Sequence, residues 1–409
     1  MVIYPKDWKI KKISSLGTNF SGLTGKKADD FGEGNSFYIT FLNVLNNTKV
    51  DFTILEKVKI SSYENQNEIQ LGDLLFNTSS ETPEEVGMCA AVTKDVKNVY
   101  LNSFCFGFRL HNNDEILPLY ASYLFNSSFG RDLMFFAAQG STRYNLSKRY
   151  FSQIELTLPS ISEQDEIVSV LSDIDDHIFN LKKLIEKKRA MKEGILSDFM
   201  NTNSRIDAYI DEWEETNIND ITKSIISGGT PSTLIREYWD GDIPWLASTE
   251  VHQKIVKIPT KNITEYGLLN SAAKIAPENS VLIALAGQGK TRGTAAYLSK
   301  PMAINQSLAA LVTSDNIDAK FLYYLMESKY TELRELSSGD GGRGGLNKSL
   351  LKKFEVVLPK SKKEQEVISH ALTLIDLELN NLIKEKEKII QIKDGVIDDL
   401  LSGRIRLTI

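Results

Sequence analysis

Residues 163–200 read EQDEIVSVLSDIDDHIFNLKKLIEKKRAMKEGILSDFM, and the spacing of their apolar side chains decides the architecture. Ile167, Leu171, Ile174, Ile178, Leu181 and Ile185 step by four and three, which places them on one stripe of a helix and suits a coiled-coil seam. Residues 364–401 repeat the pattern with Ile368, Leu372, Ile375, Leu379 and Leu382, each of the first five positions moved on by 201. The same offset aligns Glu163-Gln164 with Glu364-Gln365, Ile174-Asp175 with Ile375-Asp376, Lys192 with Lys393, Gly194 with Gly395 and Asp198 with Asp399. The chain therefore reads as a tandem duplication, each half a globular segment followed by a long helix. Two equivalent helices in one molecule can bury their stripes against each other, which predicts a pseudo-twofold internal repeat.

At 409 residues and 42% hydrophobic content, the chain can support two or three ordinary cores. Cys89 and Cys105 both lie in the first half and read as small buried thiols, not as a disulfide or zinc framework. The four histidines, His111, His177, His252 and His370, show no metal-ligand spacing, so no metal and no cofactor is expected. The N-terminal run MVIYPKDWKIKKI lacks the apolar core of a signal peptide, and no stretch approaches the ~18 apolar residues of a membrane span; a cytoplasmic protein is expected. Lys and Arg number 48 against 54 Asp and Glu, so bulk electrostatics would not hold nucleic acid. Residues 1–158 carry 16 basic and 17 acidic side chains, and residues 211–358 carry 16 and 18. Neither segment is a basic module, so any DNA specificity must lie in a few placed side chains, with a partner neutralising many phosphates.

Within 1–158, the runs Phe37–Leu45 and Leu74–Thr78 read as β-rich, 119–136 as helical, Gln139–Leu146 as a turn-rich loop and Gln153–Leu158 as a strand ending at Pro159. Ser162 is the predicted N-cap of the long helix, with Asp165 and Glu166 near the positive end of its dipole. Trp8 matches Trp213, the Ser21-Gly22-Leu23-Thr24 run matches Ser227-Gly228-Gly229-Thr230, and Leu146, Lys148, Glu155 and Pro159 match Leu346, Lys348, Glu355 and Pro359. Segment edges repeat while middles diverge: one scaffold is used twice for two binding surfaces. The predicted boundaries are 1–158 and 211–358 for the globular domains, 159–210 for the central helical region and 359–409 for the C-terminal one.

These residues resemble the specificity subunits of type I restriction-modification systems. The resemblance covers essentially the whole chain: the duplicated layout, the Pro-x-x-x-x-Glu-Gln junction at Pro159 and Glu163-Gln164, and the Lys-x-Gly helix ends. In the second half, Ser227–Ser232, Glu237–Trp245 and Ile304-Asn305-Gln306 look like the recurrent target-recognition motifs of that family; the first half has Asn102-Ser103 where the second has Asn305-Gln306. The resemblance implies an α+β fold in which two similar mixed α/β target-recognition domains are separated by two long antiparallel coiled-coil helices. It further implies a non-catalytic subunit whose domains each read one half of a bipartite, asymmetric site in double-stranded DNA. Two adenine-N6 methyltransferase subunits would dock on the helices, and restriction (translocase) subunits would join them. A helix of about 38 residues spans roughly 57 Å against about 34–36 Å for one turn of DNA, so the geometry is sensible. The rival readings are a stand-alone methyltransferase or nuclease, disfavoured because no Asn-Pro-Pro-aromatic or Asp-Pro-Pro-aromatic run is present, and a scaffold that binds no DNA.

Several stretches compete as sites. Ser280–Thr291 imitates a P-loop, but Ala284 replaces the first glycine and a strand follows in place of a helix, so a Gly-rich turn presenting Gln288, Lys290 and Arg292 to base edges and phosphates is the better reading. Its first-half counterpart is Asn77–Glu85, with Ser79 and Ser80 among its hydroxyls. Phe31-Gly32-Glu33-Gly34 faintly resembles a methyltransferase glycine loop and reads more simply as a surface turn. Arg143, followed by Tyr144, and Arg343 occupy matching glycine-bearing loops; a contact shared by domains with different targets suits phosphate more than base. Thr24 and Lys26, with Thr230 and Ser232, follow the repeated Ser-Gly turn and either contact DNA or cap local backbone. Trp239 and Trp245 read as core. Lys188 and Lys386 fall on seam positions, as snorkelling stems or as register devices.

Overall fold

The computed structural model describes residues 4–140, 142–200, 213–287, 289–336 and 345–407. Gln288 and Arg343 therefore lie outside the described residues. The two long helices are Ile161–Met200 and Lys362–Leu401, 40 residues each, about 60 Å at about 1.5 Å per residue. The first is capped by Ser160, whose Oγ accepts the Glu163 amide at 3.2 Å. That corrects the predicted cap at Ser162, which already lies in the first helical turn.

The chain divides into two compact units, residues 1–182 with 384–409, and residues 183–383. Each unit thus holds one globular segment with half of each long helix. In the first, Asp175 pairs with Lys393 at 2.5 Å and His177 with Glu385 at 3.5 Å. In the second, Lys188 pairs with Glu378 at 2.7 Å and Lys192 with Asp376 at 2.8 Å. Numbers rise along one helix as they fall along the other, so the halves run antiparallel in both units. The bulk of the apolar stripe is buried, including Ile178, Leu181 and Leu379, while Ile174, Ile375 and Leu382 are half-buried. The ends of the seam also join the domain cores. Ile167 and Leu171 belong to the core of the first unit together with Leu400 and Leu401, and Ile368 and Leu372 to the core of the second with Leu196. The first turns of each helix leave directly from a strand of the globular segment, so their stripe packs back on it.

In both units the first and last strands pair antiparallel, Lys9–Lys12 with Glu155–Leu158 and Trp213–Asn217 with Glu355–Pro359, closing the segment where the long helix begins. Inside the first unit, a four-stranded sheet runs Gly17–Ser21, Cys105–Leu110, Leu74–Asn77, Cys89–Ala91, beside a three-stranded sheet Glu56–Val58, Phe31–Ile39, Val99–Leu101. The second unit has a five-stranded sheet, Thr222–Ser227, Leu308–Thr313, Val281–Ala284, Ala295–Leu298, Ile255–Val256, and a four-stranded one, Lys261–Ile263, Trp239–Leu246, Met302–Ile304, Lys274–Ala276. The run 37–45 splits into the end of a strand and the helix Phe41–Asn46, because Thr40 caps the Asn43 amide at 3.2 Å. The predicted helix over 119–136 is two, Pro118–Asn126 and Ser128–Ala137, broken by Ser127, whose extended backbone and Oγ cap the second.

Candidate nucleic-acid interface

The repeated Ser-Gly turn is a close approach of two backbones. Leu23 N–H donates to the Leu101 carbonyl at 2.7 Å and Gly229 N–H to that of Ile304 at 3.0 Å. A Cβ on Gly22 would stand 2.1 Å from the Asn102 carbonyl oxygen, and one on Gly228 would stand 1.8 Å from that of Ile304. Only glycine fits there. Each turn is thereby pressed against a loop that starts with asparagine. Asn102 Oδ1 accepts the Phe104 amide at 2.8 Å, and Asn305 Oδ1 accepts the Ser307 amide at 3.1 Å. A third loop joins by the same bond in both units: Thr78 N–H donates to the Phe104 carbonyl at 2.9 Å, and Leu285 N–H to that of Ser307 at 2.8 Å.

In the first unit this framework continues into a small sheet. Ser79–Ser80 pairs with Tyr144–Leu146, which pairs with Ala138–Gln139. Thr24, the 102–104 loop, Ser79, Ser80, Arg143 and Tyr144 thus belong to one connected region, although they are distant in sequence. Arg143 is exposed on the hairpin and Tyr144 half-buried. Gly140 turns that hairpin at φ +124°, where a Cβ would meet the Arg143 carbonyl oxygen at 2.1 Å. Thr24 is exposed, with its amide donating to Gln66 Oε1 at 3.0 Å.

Two expectations change. The Lys26 ammonium lies 2.5 Å from Glu64 and 2.5 Å from the Lys59 carbonyl, with its side chain 4% exposed. It is a tie within the domain and not an open phosphate contact, and its hydrogen bond holds Glu64 down at about 2. Ser79 and Ser80 are buried strand residues, and Ser80 Oγ donates to Glu85 at 2.8 Å, so the Ser80 hydroxyl serves the framework. Arg292 is half-buried while Lys290 is exposed, which leaves Lys290 at the tip of its turn.

That turn joins the antiparallel strands Val281–Ala284 and Ala295–Leu298, so no helix N-terminus stands behind Gly289-Lys290 to receive a triphosphate. Instead the helix Tyr330–Leu336 holds it from the side: Arg334 Nη1 donates to the Gly289 carbonyl at 2.6 Å and the Tyr330 hydroxyl to that of Lys290 at 3.0 Å. Arg131 does the equivalent in the first unit, donating to the carbonyls of Glu84 and Val86, with burial lowering its pKa. Thr230 Oγ1 donates to Gln306 Oε1 at 2.7 Å, and Ser232 is exposed with its carbonyl accepting from Trp239 Nε1 at 3.1 Å. Trp245 is core; its ring meets Trp239 edge-on at 5.2 Å. Phe31–Gly34 opens a strand through an irregular register. Among the described residues no cluster of His, Cys, Asp and Glu could hold a metal ion, and no helix is long and apolar enough to cross a membrane.

The ties that seat each globular segment on the helices escaped sequence reasoning. The Tyr123 hydroxyl donates to Asp175 at 2.7 Å, and Asp175 receives Lys393 at 2.5 Å. At positions offset by 201, the Tyr324 hydroxyl donates to Asp376 at 2.9 Å, and the two Asp376 oxygens receive Lys192 at 2.8 and 3.0 Å. Burial and these carboxylates push both tyrosines up. The junction glutamines act alike: Gln164 Oε1 accepts the Leu117 amide and Gln365 Oε1 the Asp318 amide, both at 2.8 Å, at the start of a domain helix. The second unit adds Glu327, bound to Lys192 at 3.1 Å and Lys254 at 2.7 Å. The repeat of Asp175, Lys192 and Gln164 at the common offset was the available signal, but it named no partner.

The family described as "Type I restriction modification DNA specificity domain" matches residues 5–188 and again 210–393. The putative type I restriction enzyme MjaX specificity subunit of Methanocaldococcus jannaschii is 23% identical over 420 residues, 98% of this chain and 95% of that protein. The MjaIX specificity subunit of the same organism is 31% identical over 180 residues, 43% of this chain and 40% of that one. In fold, the chain is similar to the crystal structure of the type I restriction-modification S subunit from M. genitalium, at TM-score 0.61 and 17% identity over 96% of both chains. It is equally similar, at TM-score 0.61 and 16% identity over 98% of this chain and 100% of the other, to a chain from a structural study of complex assembly and conformational transition of the type I system. With both halves matched by one domain family, this chain belongs to the type I restriction-modification specificity subunits, the DNA-recognition component of those systems.

Proposed function

We propose that each unit reads one half of a bipartite, asymmetric DNA site through the loops around Thr24, Arg143 and Tyr144 in the first and Thr230, Ser232, Lys290 and Arg292 in the second. The observation that carries this is the contrast between frame and filling. The hydrogen bonds of the Ser-Gly turn, the asparagine turn and the cross-loop amide recur at equivalent residues, and a glycine meets a backbone carbonyl closely in both, whereas the side chains presented on that frame differ. A recognition scaffold used for two sequences needs that contrast. The domain limits 1–158 and 211–358, with helical regions 159–210 and 359–409, belong to the same proposal, as do docking of two adenine-N6 methyltransferase subunits on the helices, recruitment of restriction subunits and a cytoplasmic location. Supplied with the host methyltransferase subunit, the chain should direct methylation of adenines in two short half-sites at fixed spacing, seen by mapping methylated adenines. Exchanging residues 211–358 for those of another specificity subunit should change one half-site alone. Methylation at unrelated single sites would refute the bipartite reading, and methyl transfer by the purified chain alone would refute the non-catalytic one.

A further inference from the structure

The asparagine turns superimpose one residue of each unit by bonding alone. Phe104 and Ser307 each donate an amide to an asparagine Oδ1 two residues back, and each carbonyl accepts the amide of the third loop. Backbone and hydrogen bonds are the same, so the asparagines are frame. What differs is the side chain shown. Ser307 is half-buried, while Phe104 is 58% exposed. Phe104 thus shows more than half of its surface to water from a turn pinned by hydrogen bonds, beside Thr78 and one strand away from the Arg143 hairpin, so its ring is presented where the candidate DNA-facing loops meet. Phenylalanine has no donor or acceptor, and the apolar feature of a DNA groove is the 5-methyl group of thymine, which projects into the major groove.

We propose that Phe104 is a specificity-determining residue of the first unit that holds its ring against a thymine methyl in the major groove. This rests on the reading of that unit as a DNA-binding domain. Ser103, exposed beside it, lies where the second unit has Gln306, whose amide is shared with Thr230. At the equivalent turn residue the two units therefore present different chemistry, an aromatic ring at Phe104 and a hydroxyl at Ser307.

The test uses the chain assembled with its methyltransferase partner and duplexes carrying the mapped site, each thymine of the first half-site replaced in turn by deoxyuridine, which lacks only the methyl. The wild-type complex should lose about fourfold in affinity at one position, the value of one buried methyl group, and be indifferent at the others. Phe104→Ala should bind the thymine and deoxyuridine duplexes equally at that position, and Phe104→Leu should keep part of the difference, showing that the turn still folds. Replacements in the second half-site should affect all three proteins alike. Wild-type indifference to every deoxyuridine, or undiminished sensitivity in Phe104→Ala, would overturn the proposal. If the wild type also failed to distinguish the first half-site from scrambled sequence, the DNA-reading assignment of the unit would fall with it.

Discussion

Arg143 is exposed on a hairpin whose Gly140 could not carry a Cβ without meeting the Arg143 carbonyl, so its backbone is set by the hairpin and its guanidinium is open to solvent, while its sequence neighbours differ from those of Arg343. A phosphate contact asks for that arrangement. Arg143→Ala should weaken binding equally for cognate and mismatched first half-sites and reduce the salt slope by about one unit, as titrations at several salt concentrations would show. Lys290 sits on the diverged turn; Lys290→Ala should cost about 1–3 kcal/mol on the cognate second half-site and relax discrimination there, measured by competition with single-base variants. At the helix tie, burial acts to raise the pKa of Glu327, but the charges of Lys192 and Lys254 outweigh it and the net shift is downward. A carboxylate with a lowered folded pKa contributes stability above its ordinary value of 4.5 and loses it as the pH falls through the folded value. Glu327→Gln should therefore lower stability at neutral pH by about 3 kcal/mol, and the difference from wild type should shrink as the pH drops below 4.5, which thermal melts across that range would reveal.

At the scale of elements, the long helices were legible because periodicity is a local property and the duplication supplied an internal control. What the period could not say was which part of the stripe meets the other helix alone and which joins a domain core as well, since Ile167 and Ile178 look alike in sequence but only Ile167 joins the domain core. The loops were legible only as positions. That Lys26 is neutralised by Glu64, or that Ser80 bonds to Glu85, depends on segments brought together by strand pairing. The break at Ser127 was missed because an apolar pattern continued across it and a serine cap is a weak signal inside such a run. Ile178→Asp places a charge on the buried stripe and should destabilise the first unit by about 2–4 kcal/mol. Ile174→Asp, at a half-buried position, should cost less. Differential scanning calorimetry of the two variants separates them, and equal effects would place the seam elsewhere.

For the whole molecule, the units are not successive pieces of chain: the first is completed by residues 384–409. The Arg406 guanidinium bonds to Asp7 and Glu163 at 2.6–3.0 Å, and Leu400 and Leu401 lie in the core of the first unit. Removing residues 384–409 should therefore make the first globular segment markedly more sensitive to proteolysis than the second, as limited digestion would show. The arrangement also sets a timetable for synthesis. After residue 182 has been made, the ribosome must add the whole intervening unit before the missing strip of the first becomes available, roughly 10–40 s at about 5–20 residues per second. During that interval the apolar positions awaiting Leu400 and Leu401 have no cover, so the nascent first half is the stage at which this protein most needs a chaperone, although the second half is completed later.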